Sequence, residues 1–324
     1  MFKKLYRKTR NYLEVVANHL RVRELPTGCL YHVEKKTDLV FDLGGAVGTK
    51  SEKLSLDTGV RFDQNPFNIC VFASRVQGFS MQEGIRFSVR WDVKLARKLG
   101  YITGNGFSFL RAENEIGLKY GRLPYEYMPD EVGRMSFEEY SRWTSEDDKL
   151  LEIARKFRTS SYKKIDNKSQ AIQALEAGYV LFTAGKWFMA MNRPSPSKYL
   201  LRPLGHYIGG HAYIATGYRD YGNDFENPQT FGSDYADNGV AWIDDLFGPT
   251  QMAIYVEEKL PFSVKHEYFL MSHKDKYVKG DGTEIYQIID GKKRHISEEE
   301  FKNYPVTFEV VSQSYIDATP SIYV

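Results

Sequence analysis

Apolar residues between Ile69 and about Leu99 recur three and four positions apart, the spacing of one buried face of a helix. Gly84 and Gly100 interrupt and end this pattern, because glycine favours the ends of helices. The spacing therefore predicts helical structure that begins at Cys70.

Helical and extended patterns then follow one another along the chain. Helical spacing covers three further stretches: Phe107–Ala112 and onward to Tyr120, parts of the charged region 130–164, and Ser169–Gly178. Short apolar runs typical of buried strands occur at Tyr179–Ala184, Ala212–Tyr218, Val240–Ile243 and Ile254–Val256. This order predicts an α+β protein.

The composition becomes polar after Val256, and the pattern changes to short strands with Asp-Gly turns. The predicted strands are Tyr268–Leu270, Tyr277–Gly282, segments within Ile285–Ile296, and Phe308–Val311. Ser297 followed by three glutamates predicts a short capped helix. Residues 258–324 are therefore expected to form a small β-rich accessory module, which could contact a surface or a partner.

Composition excludes few functions. With 324 residues and 42% apolar content the chain can bury a sizeable core. A net charge of +2 gives no overall field that favours nucleic acid, so no nucleic-acid partner is expected. We identify no transmembrane run and no secretory signal. Only two cysteines are present, too few for a disulfide framework, which favours the cytoplasm or another reducing compartment.

The first 40 residues look like an N-terminal extension. Met1–Glu24 contains seven Lys or Arg and two Glu, with apolar residues near helical spacing. Three interpretations remain open: a solvated helix packed on the main domain, a segment that binds a membrane surface or a polyanion, and an inhibitory pro-segment.

Cys70 and His211 are the candidate catalytic residues. A cysteine is a good nucleophile as its thiolate, and a histidine placed beside it can accept its proton and later protonate the leaving group. A helix that begins at Cys70 would also stabilise the thiolate through its free N–H groups. Taken singly, a buried cysteine is usually inert and a histidine near a strand is usually a satisfied polar group, so other landmarks are needed.

Four ordered segments supply those landmarks. Asp63–Ser74 holds Gln64 six residues before Cys70, Gly104-Asn105-Gly106 precedes a helix and a Tyr-rich loop, Gly209–Tyr218 carries His211, and Gln229–Gly239 ends in Asn-Gly. In this order they resemble the papain-like cysteine peptidases. The resemblance implies a two-lobed fold, a helical lobe plus a β-barrel-like lobe, over residues 41–257, with Cys70 and His211 within hydrogen-bonding reach of each other.

The resemblance also implies roles for individual residues. Gln64 and the backbone N–H of Cys70 would bind the oxyanion. The glycine turn Gly104–Gly106 and Gly210 would pair with the backbone of a peptide or protein substrate.

Two positions depart from the family. Gln229 stands where the family has the asparagine that orients the histidine, and Asn227 is an alternative orienter. Phe67 replaces a cysteine that forms a disulfide in many secreted relatives, which again points to a reducing compartment.

We expect no metal and no cofactor, since neither CxxC, HExxH nor a nucleotide-binding glycine motif is present. The predicted activity is hydrolysis of peptide bonds. The alternatives are an inactive papain-like protein that binds peptides, which the Gln229 substitution motivates, and an amidase that acts on cell-wall peptides.

Overall fold

A computed structural model describes most of the chain. The described residues are 28–30, 39–41, 51–130, 135–192, 194, 199–244, 246–248, 250–303 and 306–322. They belong to two compact units, Met1–Lys259 and Leu260–Val324. The basic segment Met1–Glu24 lies outside the described residues. No helix in the described ranges is both long enough and apolar enough to cross a bilayer.

The first unit carries its helices in the first two thirds of its length. They are α1 (Cys70–Glu83), α2 (Val89–Lys98), α3 (Leu110–Lys119), α4 (Phe137–Ser141), α5 (Ser145–Lys156) and α6 (Lys168–Glu176). Helix α1 begins at Cys70 as predicted and ends where Gly84 takes a left-handed conformation with a φ of 67°. Helix α3 starts at Leu110, three residues later than predicted, because Phe109 is still extended.

Helix α1 is buried on nearly every side. Val71, Val76 and Phe79 are 0–1% exposed. A Cβ at Gly78 would lie 2.7 Å from the ring of Phe182, so glycine at this position lets the helix approach the sheet closely. This packing fixes the start of α1 against the strands.

The strands of the first unit form two open sheets in the described part of the chain, where a β-barrel-like lobe was predicted. They are β1 (Leu54–Ser55), β2 (Tyr162–Lys164), β3 (Leu181–Phe188), β4 (Leu200–Leu201), β5 (Tyr207–Ala215), β6 (Gly217–Arg219), β7 (Asp224–Pro228), β8 (Val240–Ile243) and β9 (Gln251–Glu257). The sheet orders are β2-β9-β3-β5 and β1-β6-β7-β8-β4. Strand β5 reaches β6 through Thr216 and so joins the two sheets.

A cluster of buried charges ties the helices to β9. Arg122 contacts Glu257 at 2.6 Å, Glu113 at 2.9 Å and Asp92 at 3.6 Å, and Arg75 contacts Glu257 at 2.8 Å. Their side chains are at most 1% exposed. Burial, followed by the charge of Glu113, raises the pKa of Asp92 well above its usual range, and burial also raises the pKa of Glu113.

The second unit contains one four-stranded sheet and three helices among the described residues. They are α7 (Phe262–Ser272), β10 (Tyr277–Lys279), β11 (Ile285–Ile289), β12 (Lys292–Ile296), α8 (Glu298–Asn303), β13 (Phe308–Val310) and α9 (Gln313–Ala318), with the sheet order β12-β11-β10-β13. Asp290 and Gly291 join β11 to β12 with φ angles of 46° and 76°, which two-residue hairpin turns require. The predicted strands after residue 276 and the helix after Ser297 are present.

The predicted strand Tyr268–Leu270 is wrong, since these residues lie inside α7. Ring side chains recur at helical spacing at Phe262, His266 and Phe269 of this helix, and His273 follows at its C-terminal cap. Phe269 is 3% exposed and packs into the core of the second unit. Tertiary packing of this helix face therefore overrides the strand preference of a short aromatic run.

Candidate active site

Cys70 lies at the first position of α1 and is fully buried. Its Sγ accepts two backbone hydrogen bonds, from the N–H of Gly28 at 3.2 Å and from the N–H of Ala212 at 3.4 Å. Ala212 directly follows His211 in β5. The fold therefore brings the two sequence-predicted catalytic residues to neighbouring positions, although they are 141 residues apart in the chain.

His211 is held by rings on both sides and by an amide. Strand β5 places it opposite Gly185 of β3. Its ring stacks on Phe231 at a centroid distance of 4.8 Å and packs against Trp187 at 4.5 Å. Its Nε2 lies 3.0 Å from Oε1 of Gln229. Because an amide oxygen only accepts hydrogen bonds, Nε2 carries the proton and Nδ1 is left with its lone pair, the form that a general base needs.

The two candidate orienting amides act in series. The Gln229 amide Nε2 donates to Oδ1 of Asn227, and Nδ2 of Asn227 donates to the carbonyl of Ile214. All of these side chains are buried. The longer Gln229 side chain thus reaches the imidazole, and Asn227 sets which end of the Gln229 amide faces it. The sequence alone left the two residues as alternatives. Gln229 directly follows β7, which contains Asn227, and residues two apart in an extended chain face the same side, a spacing that could have indicated this pairing.

Both candidate catalytic groups are neutral in this arrangement. Burial raises the pKa of the Cys70 thiol to about 11, although the hydrogen bonds from Ala212 and Gly28 lower it. Burial lowers the pKa of His211 to about 4, against the opposing effect of the hydrogen bond with Gln229. The His211 Nδ1 atom has no hydrogen-bond partner among the described residues. The thiol is hydrogen-bonded to the backbone beside His211 rather than to the imidazole itself.

Gln64 lies in the loop that leads into α1 and is 1% exposed. Its backbone N–H donates to the carbonyl of Thr230 at 2.8 Å, and its Oε1 accepts from the Thr230 hydroxyl. Its amide Nε2 therefore faces the other way and donates to the carbonyl of Phe67 at 3.3 Å. This side chain is fixed in the turn before Cys70, with its donor end towards the helix start.

A short segment, Gly28–Leu30, lies against Cys70. The N–H of Leu30 donates to the carbonyl of Ser108 at 2.6 Å, and the N–H of Ser108 donates to the carbonyl of Gly28 at 2.9 Å. On the opposite side the N–H of Cys29 donates to the carbonyl of Gly210 at 3.0 Å. A Cβ at Gly28 would lie 1.9 Å from the carbonyl oxygen of Asn68, so only glycine fits here. The segment closes the cleft above Cys70.

Ser108 is a cleft residue that sequence analysis did not single out. The predicted substrate-binding turn packs against Asn68 instead: Nδ2 of Asn68 donates to the carbonyl of Asn105 at 3.0 Å, and a Cβ at Gly106 would lie 3.1 Å from the Asn68 backbone. The backbone groups that pair with the segment belong to Ser108 and Gly210. The signal in the sequence that could have indicated Ser108 is its position among extended residues between a glycine turn and the start of a helix.

Among the described residues no three His, Cys, Asp or Glu side chains are grouped to bind a metal.

The fold has known counterparts among solved structures. The chain is similar to xylellain, a cysteine protease from Xylella fastidiosa, with a TM-score of 0.61, 13% identity, and coverage of 74% of this chain and 97% of that one. It is similar to procathepsin B S9 from Trypanosoma congolense, with a TM-score of 0.58, 12% identity, and coverage of 74% and 89%. It is also similar to digestive procathepsin L 3 of the Tenebrio molitor larval midgut, with a TM-score of 0.51, 12% identity, and coverage of 73% and 77%.

These likenesses define the fold class. The chain has the papain-like fold of cysteine proteases, as its sequence predicted. No family model and no curated protein matches the sequence. The fold is therefore recognisable from structure at identities of 12–13%.

Proposed function

We propose that this protein is a cysteine peptidase that hydrolyses peptide bonds through Cys70 and His211. The observation that carries the proposal is the buried chain of hydrogen bonds from Ile214 through Asn227 and Gln229 to the imidazole. It selects the His211 tautomer whose free nitrogen can accept a proton. This histidine neighbours the Cys70 thiol, which lies at the first position of a helix. An inert core histidine has no need of two further buried amides to orient it.

In the proposed reaction the thiol proton passes to Nδ1 of His211 and the thiolate attacks the substrate carbonyl carbon. The backbone N–H of Cys70 and the amide of Gln64 stabilise the oxyanion. His211 then protonates the leaving amine, and a thioester remains on Cys70. Water, activated by His211, hydrolyses this thioester and releases the acid product and the free thiol.

A substrate must replace the Gly28–Leu30 segment. This segment already shows how an extended backbone pairs with the cleft, since it bonds to Ser108 on one side and to Gly210 on the other. We propose that a peptide or protein substrate uses the same backbone groups. Removal of the segment would also return water to Cys70 and His211, which favours the charged thiolate–imidazolium pair.

A second candidate function is peptide binding without hydrolysis. The neutral state of both groups and the unpaired Nδ1 of His211 favour it. The two functions differ in whether Cys70 reacts once the cleft is open.

Gly28→Ala provides that test, because its methyl group clashes with the Asn68 backbone and displaces the segment. We expect this variant to cleave a fluorogenic peptide library faster than the wild type and to react with an epoxide thiol inhibitor at Cys70. Cys70→Ala and His211→Ala in the same background should abolish cleavage. Binding of peptides by Gly28→Ala, with neither cleavage nor labelling of Cys70, would establish the second function instead.

We also propose that the protein works in a reducing compartment, since Cys29 and Cys70 are both free thiols. Residues 258–324 are proposed to be an accessory module. Purification from cells under thiol-blocking conditions, followed by mass spectrometry of both cysteines, tests the compartment.

A further inference from the structure

A second thiol lies in the same cleft as the nucleophile. Cys29 is 4% exposed, and its neighbour Gly28 donates its N–H directly to Sγ of Cys70. The backbone of Cys29 is bound to Gly210, which lies two residues before Ala212, the other donor to Cys70. These two cysteines are the only ones in the chain. The mechanism proposed above gives Cys29 no role.

We propose that Cys29 is a resolving cysteine, which converts an oxidised Cys70 into a Cys29–Cys70 disulfide and locks the segment over the cleft. The inference rests on the proposed function in one respect: Cys70 must form a thiolate when the cleft is open. It adds an oxidative modification site and a reversible off state to that function.

The geometry places Cys29 one residue from the position in contact with the sulfur. Gly28 stays in place, and the Cys29 side chain must turn towards Cys70 and release the carbonyl of Leu30, to which its Sγ donates at 3.4 Å. Backbone hydrogen bonds to Ser108 and Gly210 and the close approach of Gly28 to Asn68 hold the segment in place. The two sulfurs are close enough to interact electrostatically, since burial and then the charge of Cys70 raise the pKa of Cys29.

Two steps balance the reaction, with hydrogen peroxide as the oxidant. In the open cleft the Cys70 thiolate attacks one peroxide oxygen, the O–O bond breaks, and Cys70 becomes a sulfenic acid while hydroxide takes up the thiol proton as water. When the segment returns, the Cys29 sulfur attacks the Cys70 sulfur. The S–O bond breaks and a second water leaves. Two thiols and one peroxide thus give one disulfide and two waters.

The expected advantage is reversibility. A sulfenic acid without a nearby thiol is oxidised further to sulfinic acid, which ordinary reductants do not reverse. A disulfide is returned to two thiols by thiol exchange. Cys29 is tethered beside Cys70, so its effective concentration far exceeds that of thiols in solution.

The test uses the full chain and does not depend on peptidase activity. Wild type and Cys29→Ser, which replaces one atom, are treated with a small excess of hydrogen peroxide, alkylated, digested without reduction and analysed by mass spectrometry. We expect a linked Cys29–Cys70 peptide in the wild type, and recovery of alkylatable Cys70 after dithiothreitol. In Cys29→Ser we expect sulfinic acid at Cys70 and no recovery. Equal sulfinic acid in both proteins would overturn the proposal.

Further variants test the role of the segment. Gly28→Ala, which unseats it, should give several-fold less linked peptide and more sulfinic acid at Cys70. Gly282→Ala is the matched control, because a Cβ there meets only the backbone N of Glu284, at 4.0 Å. If Gly28→Ala formed the Cys29–Cys70 disulfide at the wild-type yield, the position of the segment would be irrelevant, and this result would contradict the inference.

Mixing isotopically light and heavy chains distinguishes a disulfide within one chain from one between two chains. Light–heavy linked peptides would overturn the intramolecular disulfide. If disulfides join only light to light and heavy to heavy peptides, and the protein cleaves no peptide, this inference is supported and only the peptidase proposal is rejected.

Discussion

Gln229 carries one methylene more than an asparagine, and Asn227 holds its amide in place. We expect Gln229→Ala to lower kcat/KM on the order of 10²-fold, because an unoriented imidazole loses the reactive geometry. Asn227→Ala should cost less, since Gln229 can still reach Nε2. Steady-state kinetics in the Gly28→Ala background measure both effects. A larger loss in Asn227→Ala than in Gln229→Ala would contradict the serial arrangement.

The buried thiol gives a prediction about pH. With a pKa of about 11, Cys70 is thiolate at neutral pH in a fraction on the order of 10⁻⁴. Its alkylation by iodoacetamide should therefore keep rising from pH 7 to pH 10 in the wild type. In Gly28→Ala water reaches the pair, so the rate should be higher and level off at lower pH. Mass spectrometry follows the Cys70 peptide separately from that of Cys29; identical profiles in the two proteins would refute the closed cleft.

Sequence patterns indicated several residues of the candidate site. The apolar spacing around Cys70 indicated a helix start, and the order of segments indicated His211 and Gln229. The segment over Cys70 could not be predicted, because Gly28–Leu30 is too short to show any periodicity. Its place depends on backbone pairing with Ser108 and Gly210, which leaves no side-chain signal.

Among the elements, the contact between helices and β9 depends on Arg122. Arg122→Met leaves Glu113 and Glu257 buried with one fewer cation, which should lower the free energy of unfolding by about 3–5 kcal/mol. Lys149→Met is the matched control, because its pair with Glu146 is solvent-exposed and contributes little. Urea denaturation compares the two variants. A loss in Arg122→Met as small as in the control would show that the cluster does not stabilise the fold.

Elements with long apolar periodicity were predictable, and short aromatic runs were not. Helix α1 and strand β3 follow directly from spacing and flanking glycines. Helix α7 was misread because Tyr268–Leu270 also satisfies a strand pattern, and only the core contacts of Phe269 decide between the two.

For the whole molecule, His211 couples stability to pH. Its pKa is about 4 in the folded state against the usual 6.5, so the unfolded chain binds more protons as the pH falls from 6.5 to 4. The contribution of His211 to the free energy of unfolding is fully present above pH 6.5. It falls by roughly 3 kcal/mol in total as the pH decreases from 6.5 to 4. Urea denaturation at pH 7, 6, 5 and 4 measures it.

The comparison protein is His211→Gln, which cannot titrate. Burial raises the pKa of Asp130 to about 6, and this carboxyl acts in the opposite direction, stabilising the fold as the pH falls through that value. Its contribution is common to both proteins and cancels in their difference. A difference between wild type and His211→Gln that does not change from pH 7 to pH 4 would contradict the buried, neutral histidine.

Glu257 is the last residue of β9 and stands two residues before the end of the first unit. Its carboxylate contacts Arg75 in α1 and Arg122 after α3, so the last strand of the first unit supplies the counter-charge for residues that lie much earlier in the chain. The helices can therefore pack against the sheet only after the ribosome has synthesised the chain beyond residue 257. Any shortened chain meant to keep the cleft must retain residue 257.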